Sequence, residues 1–233
     1  RDRLRSRGLG DVYKRQGSLV HDDLPCMDND EYRRGNLTTW KKYGYDMAVL
    51  AGDKLFIYAF ETAAKAFVLT DSDDLVGKAI SILANKAGIY GMIGGQSVDV
   101  EYTDRPVTKS QLEFIYELKT AALLEAAMMI GAVLAGADDN QVKAAEQIAH
   151  HVGMAFQIRD DILDVISTTE ELGKPVKSDE KNNKTTYVTI YGLDGASKLV
   201  EEYSHTAMTL LDQVCPNASF LKRLFEYLIV RKK

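Results

Sequence analysis

The sequence predicts an all-α fold, and three observations carry that prediction. Apolar residues recur at intervals of three and four along most of the chain, the spacing that lines one face of a helix. No stretch sustains the apolar–polar alternation of a half-buried strand. Only four of the 233 residues are proline, and long stretches are rich in Ala, Leu, Glu and Lys, which lose little freedom in a helix. The chain is 45% hydrophobic and 27% charged, which suits one large domain with a real core and no internal boundary.

The elements follow in order. "DMAVLAGDKLFIYAFETAAKAFVL", residues 46–69, reads as one long helix. The next begins at Asp73 or Asp74 and runs to about Met92. "GMIGGQS" is expected to break the helical run, because glycine weakens a helix interior. Thr108 and Gln111 have capping-box spacing, so a helix is predicted over 110–136. Within it "AALLEAAMMIGAVLAGA", 121–137, carries Glu125 and is too short for a membrane span, and it reads as a buried core helix. Asp138 and Asp139 start a helix that continues through "AFQIRDDILDVI" to about Ile166. A polar loop covers 167–184, and helices over 193–213 and 218–231 close the chain. His150 and His151 are expected on a polar helix face, and Met128 and Met129 in the core.

Charge is unevenly distributed. Residues 1–16 hold six Arg or Lys against two Asp, while the chain as a whole carries a net −5. The remainder is too acidic for a nucleic-acid binder. Residues 1–16 have no apolar core of a signal peptide and are expected to be a non-native or unstructured leader to a domain spanning 17–233. Cys26 and Cys215 match no disulfide or metal spacing, which points to a reducing, cytoplasmic setting.

Two acidic clusters stand out. The first is Asp22, Asp23 and Asp28, followed by Arg33 and Arg34. The second is "DDILD", Asp160, Asp161 and Asp164. In a helix the latter three fall at i, i+1 and i+4 and are expected to share one side. Their apolar neighbours bury that helix. Two bare carboxylates about 4 Å apart repel by roughly 4 kcal/mol at an effective dielectric near 20, so a cation is required. Acids without His or Cys select a hard ion, Mg²⁺, which takes one or two carboxylates and completes its shell with water and substrate phosphate oxygens. Two facing aspartate clusters would clamp a diphosphate, with Arg33 and Arg34 as anion contacts.

"SLVHDDLPCMDNDEYRRG" with "GMAFQIRDDILDV" closely resembles the trans-isoprenyl diphosphate synthases, especially bacterial farnesyl and geranylgeranyl diphosphate synthases. "AGD" at 51–53, "GGQ" at 94–96, "LKTAAL" at 118–123, "LGK" at 172–174 and "NKTTY" at 183–187 extend the match. The resemblance implies an isoprenoid-synthase-type helical bundle around a central cavity, a homodimer, and isopentenyl and allylic diphosphates as substrates. It implies three Mg²⁺, with Mn²⁺ a possible substitute, held by Asp22, Asp23, Asp28, Asp160, Asp161 and Asp164. By position, Arg33, Lys119, Thr120, Gln157, Lys174 and Lys184 resemble the residues that contact the allylic diphosphate or steady the cation. Arg34 resembles the isopentenyl-diphosphate arginine. Asp22, Asp23, Asp28, Arg33, Lys119, Asp160 and Lys174 are the expected catalytic set.

The pattern departs at its start. The Gly-Lys-Arg-x-Arg-Pro-type motif that precedes the first aspartates in the family is absent, so early helices are expected to be missing. Gly17 falls five places before Asp22, where short-chain synthases carry an aromatic chain-length ruler. The inserted "LPCM", shared with bacterial farnesyl and some geranylgeranyl synthases, should end the helix there, and favours a C15 product, then C20. The competing readings are a class I terpene cyclase and a non-catalytic subunit of a heteromeric synthase. Retention of both aspartate motifs argues against each.

Overall fold

Residues 9–103, 105–166 and 184–230 are described by the computed structural model of the chain, and their regular structure is helical apart from one small hairpin. Two compact units result, residues 1–84 and 85–233.

In the first unit, α1 (Leu9–Asp22) packs on α3 (Tyr45–Ala64). The expected leader therefore holds helical residues from Leu9 onward. Glycines set the closeness of this pair. A Cβ on Gly17 would lie 3.2 Å from the Gly52 carbonyl oxygen, and one on Gly52 would lie 2.0 Å from His21 Nε2. His21 uses that space to donate a 3.0 Å hydrogen bond from Nε2 to the Val49 carbonyl. Between the two helices, β1 (Tyr32–Arg33) pairs antiparallel with β2 (Asn36–Leu37), followed by α2 (Thr39–Tyr43). The hairpin is too short to show a period of two. Its turn residues Arg34 and Gly35 both have positive φ, 53° and 75°, as a tight hairpin turn demands. A 3₁₀ turn, Lys65–Val68, follows α3, and α4 (Asp73–Ala87) runs past the end of the unit.

The second unit contains α5 (Met92–Glu101), α6 (Lys109–Ile115), a π-helical turn (Tyr116–Ala121), α7 (Ala122–Leu134), α8 (Asp139–Ile166), α9 (Tyr187–Val214) and α10 (Ser219–Val230). The capping box at Thr108 and Gln111 forms as its spacing predicts. Helix α8 is the axis of this unit, packed against α7, α9 and α10. Its residues Met154, Ala155, Ile158 and Ile162 join Leu112, Ile115, Tyr116 and Tyr187 in one core, and Ile148 and Val152 join Leu211 and Phe225 in another. Helix α9 starts at Tyr187 and is broken at Gly192 (φ 72°, ψ 171°), next to the start expected at 193.

Two expectations are corrected here. The break falls slightly earlier, at residues 88–91, with Gly91 as the N-cap of α5; "MIGGQS" lies within the helix, and its glycines are a packing device: a Cβ on Gly94 would lie 2.0 Å from the Ile89 carbonyl oxygen, and one on Gly95 would lie 2.3 Å from the Lys119 backbone nitrogen. The close approach outweighs glycine's low helix propensity. The helix expected over 110–136 contains one wide π turn, a feature that hydrophobic spacing does not encode. Among the described residues no helix is long and apolar enough to cross a membrane.

Candidate active site

In the first unit the aspartate motif lies where α1 ends. Pro25 cannot continue the helix, so residues 23–28 fold into turns. The Asp28 N–H reaches back to the Asp22 carbonyl at 2.9 Å, and the Asn29 N–H to that of Leu24 at 3.1 Å. The insertion thereby returns Asp28 to the helix end. Asp22 is half-buried and Asp28 exposed. Asp23 is buried, and Arg33 claims it, with Nε donating to Oδ1 at 2.7 Å and Nη2 lying 2.6 Å from the same oxygen. Arg33 also lies 3.7 Å from Asp30. The Asp30 carbonyl accepts from Thr38 Oγ1 and from Trp40 Nε1, each at 2.8 Å, which fixes the loop that carries both arginines. Arg34 is exposed.

In the second unit an open cleft is lined by Asp99, Tyr102, Arg105, Tyr116, Lys119, Thr120, Gln157, Asp161 and Lys184, among others. It brings together five of the candidate residues: Lys119, Thr120, Gln157, Asp161 and Lys184. The π turn presents both Lys119 and Thr120 to the cleft, and Thr120 Oγ1 donates to Gln157 Oε1 at 2.8 Å. Glycines grip that turn from two helices, for a Cβ on Gly153 would lie 2.6 Å from the Ala121 Cα. Gly95→Ala should therefore displace the Lys119 backbone and cost about 1–3 kcal/mol of stability. Differential scanning calorimetry should show a fall of several degrees, and an unchanged melting temperature would refute the tight contact.

Asp161 is buried, 3% exposed. Its Oδ2 accepts from Tyr116 Oη at 2.7 Å and from the Tyr187 backbone N–H at 3.0 Å, tying α8 to the π turn and to the start of α9. The three aspartates of "DDILD" therefore do not behave alike: Asp160 is half-buried, whereas Asp161 and Asp164 are buried. A step of one residue rotates a helix by about 100°, which separates Asp161 from Asp160 and gives it its partners in the π turn and at the start of α9. Lys174 lies outside the described residues.

Sequence reasoning missed Asp99. It accepts from Lys119 Nζ at 2.5 Å. Burial alone would push its carboxyl up, but the charges of Lys119 and Lys184, with the Lys119 hydrogen bond, hold it below the usual carboxylate range. Its position one helical turn after Gly95 was the available signal, since residues four apart share a helix face. Also unforeseen was a second charge cluster, Lys86, Glu125, Glu146 and His150. Lys86 Nζ donates to Glu125 at 2.5 Å and to Glu146 at 2.6 Å, and His150 Nδ1 lies 3.2 Å from Glu125. His150 is thus not a solvated residue on a polar face.

The acidic donor set fits Mg²⁺ in chemistry. Among the described residues no three acidic, His or Cys side chains converge into a ready metal cage.

Comparison with known proteins assigns the family. Residues 15–216 match the polyprenyl synthetase family. Farnesyl diphosphate synthase of Geobacillus stearothermophilus is 40% identical over 220 residues, 92% of this chain and 72% of that protein. The chloroplastic geranylgeranyl pyrophosphate synthase of Capsicum annuum is 43% identical over 196 residues, covering 84% of this chain and 53% of that protein. A geranyltransferase of Helicobacter pylori, solved in complex with magnesium and isoprenyl diphosphate, superimposes with a TM-score of 0.84 at 35% identity, over 95% of this chain and 72% of that one. The chain belongs to the polyprenyl synthetase family, with the family's all-α isoprenoid-synthase fold and prenyl transfer as its chemistry.

Proposed function

We propose that the protein condenses isopentenyl diphosphate head to tail with an allylic diphosphate, dimethylallyl or geranyl, to give farnesyl diphosphate, with geranylgeranyl diphosphate as the second assignment. The observation that carries this reading is the cleft in which Lys119, Lys184, Thr120 and Gln157 converge. Two ammonium groups with adjacent hydroxyl and amide groups suit a diphosphate rather than a neutral hydrocarbon.

The allylic C–O bond breaks and its electron pair leaves with the diphosphate. The resulting allylic cation is attacked by the isopentenyl double bond. A C–C bond forms, and one proton passes to the released diphosphate as the new double bond closes. Lys119 and Lys184 stabilise the charge that develops on the departing oxygens, the class of contribution that matters most when charge builds up in a transition state. Thr120 and Gln157, joined by their hydrogen bond, orient the same group. Arg33, held by Asp23, and the exposed Arg34 supply cations beside the first aspartate motif.

Magnesium, when bound, neutralises diphosphate charge and so eases departure of the leaving group. Asp22, Asp28, Asp160 and Asp164 are the carboxylates we assign to it, with three ions and Mn²⁺ as a substitute, as the resemblance implies. Asp23 and Asp161 anchor the loop and helix that carry them. We assign the working unit as a homodimer on the same ground, which light scattering tests.

Labelled isopentenyl diphosphate incubated with dimethylallyl, geranyl or farnesyl diphosphate and Mg²⁺ tests the function. An elongated C15 or C20 product is expected, dependent on metal and lost in Asp22→Ala and Asp160→Ala. A cyclic hydrocarbon formed without isopentenyl incorporation would establish the cyclase reading instead.

A further inference from the structure

We propose that Asp99 is a positioning residue: a half-buried counter-ion that holds Lys119 and Lys184 in the cleft until a diphosphate takes them over. The inference rests on the diphosphate reading of that cleft and adds to it a residue that the two aspartate motifs do not include.

The geometry carries it. Asp99 sits on α5 one turn after Gly95, and Gly95 is the residue that lets α5 touch the backbone of Lys119. The approach of backbone to backbone sets the approach of carboxylate to ammonium. Asp99 and Lys119 make a 2.5 Å ion pair with side chains only 23% and 25% exposed. Lys184 bears on the same carboxylate from the segment just before α9. Two ammonium groups lining one cleft repel each other, and the largely covered Lys119 also loses solvation. One ionised carboxylate beside them offsets both costs and restricts where the flexible lysine arms lie.

A diphosphate entering the cleft offers the same ammonium groups more acceptor oxygens and more charge than one carboxylate. Lys119 then exchanges one anion for another without being dehydrated twice. Asp99 thus restrains the affinity of the empty cleft for anions while keeping the lysines ordered. The expected signature is coupling between Asp99 and Lys119 in ligand binding, since residues in contact act non-additively. A Lys119→Gln change removes an ammonium contact to the ligand but also the cost of drawing that ammonium away from Asp99, so the second effect masks part of the first.

The test is a double-mutant cycle read by calorimetry, with inorganic pyrophosphate and Mg²⁺ as the probe. In the Asp99→Asn background, where Lys119 is held by no competing carboxylate, Lys119→Gln should weaken binding about tenfold or more, and in the unaltered background by less than about threefold. Asp99→Asn alone should leave affinity equal or higher. Asp99→Glu keeps the charge and should hold the effect of Lys119→Gln to the small loss of the unaltered background; it also serves if Asp99→Asn melts prematurely. Equal losses in both backgrounds, or a tenfold loss from Asp99→Asn alone, would overturn the inference, as would an unaltered chain that binds no pyrophosphate. Product formation is assayed on the same preparations. A coupled cycle without prenyl transfer would sink the proposed function and leave the role of Asp99 standing.

Discussion

Asp160→Ala should lower product formation about a thousandfold while moving the melting temperature by no more than about 2 °C, and Asp161→Ala should do chiefly the opposite. The two residues are neighbours in sequence, yet their surroundings divide them. Asp160 is half-buried and is assigned to metal. Removing a preorganised group that stabilises a developing charge costs about 10²–10³ in turnover, and a lost ligand that also lowers metal occupancy belongs at the upper end. Asp161 is buried, and its Oδ2 is the acceptor for the Tyr116 hydroxyl and the Tyr187 N–H. Its loss strands two buried donors, at about 2–5 kcal/mol. For a chain of this size that is a melting shift of roughly 5–15 °C. Thermal melts and a product assay on both variants check the pair. Turnover within tenfold of normal in Asp160→Ala would remove that residue from the metal site, and an unshifted melt in Asp161→Ala would refute the anchoring role.

Lys86→Met should destabilise the second unit by about 2–4 kcal/mol, because buried Glu125 loses one of its two partners and Glu146 loses the same ammonium. Glu125 is 4% exposed and lies between Lys86 and His150. Burial alone would push its carboxyl up, but hydrogen bonds from His150 and Lys86 hold it below the usual range. Lys86→Met combined with Glu125→Gln should recover much of the loss, since the buried charge is then gone. A melting temperature unchanged by Lys86→Met would refute the argument.

The same cluster gives stability a pH dependence. His150 is raised chiefly by its hydrogen bond to Glu125, against burial. Its contribution is complete below the ordinary imidazole value, about 6.5, and is lost as pH rises through its higher folded value. Glu125 has the opposite sign. Its contribution is present above the ordinary carboxyl value, about 4.3, and is lost as pH falls through its lower folded value. The cluster therefore stabilises most between about pH 4.5 and 6.5. The difference in melting temperature between the unaltered chain and His150→Gln should be largest there and shrink as pH rises above 7. A difference that stays constant from pH 5 to 8 would count against it.

Much of the site was visible in residue order because its chemistry demands unusual local composition. Asp22, Asp23 and Asp28 beside an apolar run, and Asp160, Asp161 and Asp164 in an apolar helix, cannot be stable without cations. That conflict can be read without coordinates. The capping box at Thr108 was equally legible, since its partners lie within one turn. Lys119 and Lys184 were different. A lysine on a long helix or in a polar loop has no local abnormality, and only their resemblance to a family motif singled them out. Asp99 and Glu125 were harder still, because what matters about them is a partner 20 or 39 residues away.

What the sequence by itself determined is the succession of helices, the helix-ending role of Pro25 and the need for positive charge near both aspartate motifs. Each follows from forces acting within a few residues: periodic burial, backbone sterics and like-charge repulsion. What only the tertiary structure decided is the division of labour among those residues. Packing turned "MIGGQS" from part of an expected break into a helix that presses on Lys119, and opened a π turn between Gly95 and Gly153. It separated Asp161 from Asp160, and gave the Lys119 ammonium a carboxylate to hold. Those outcomes depend on backbone approaches of a few ångströms between distant segments, where one absent methyl group outweighs local preference.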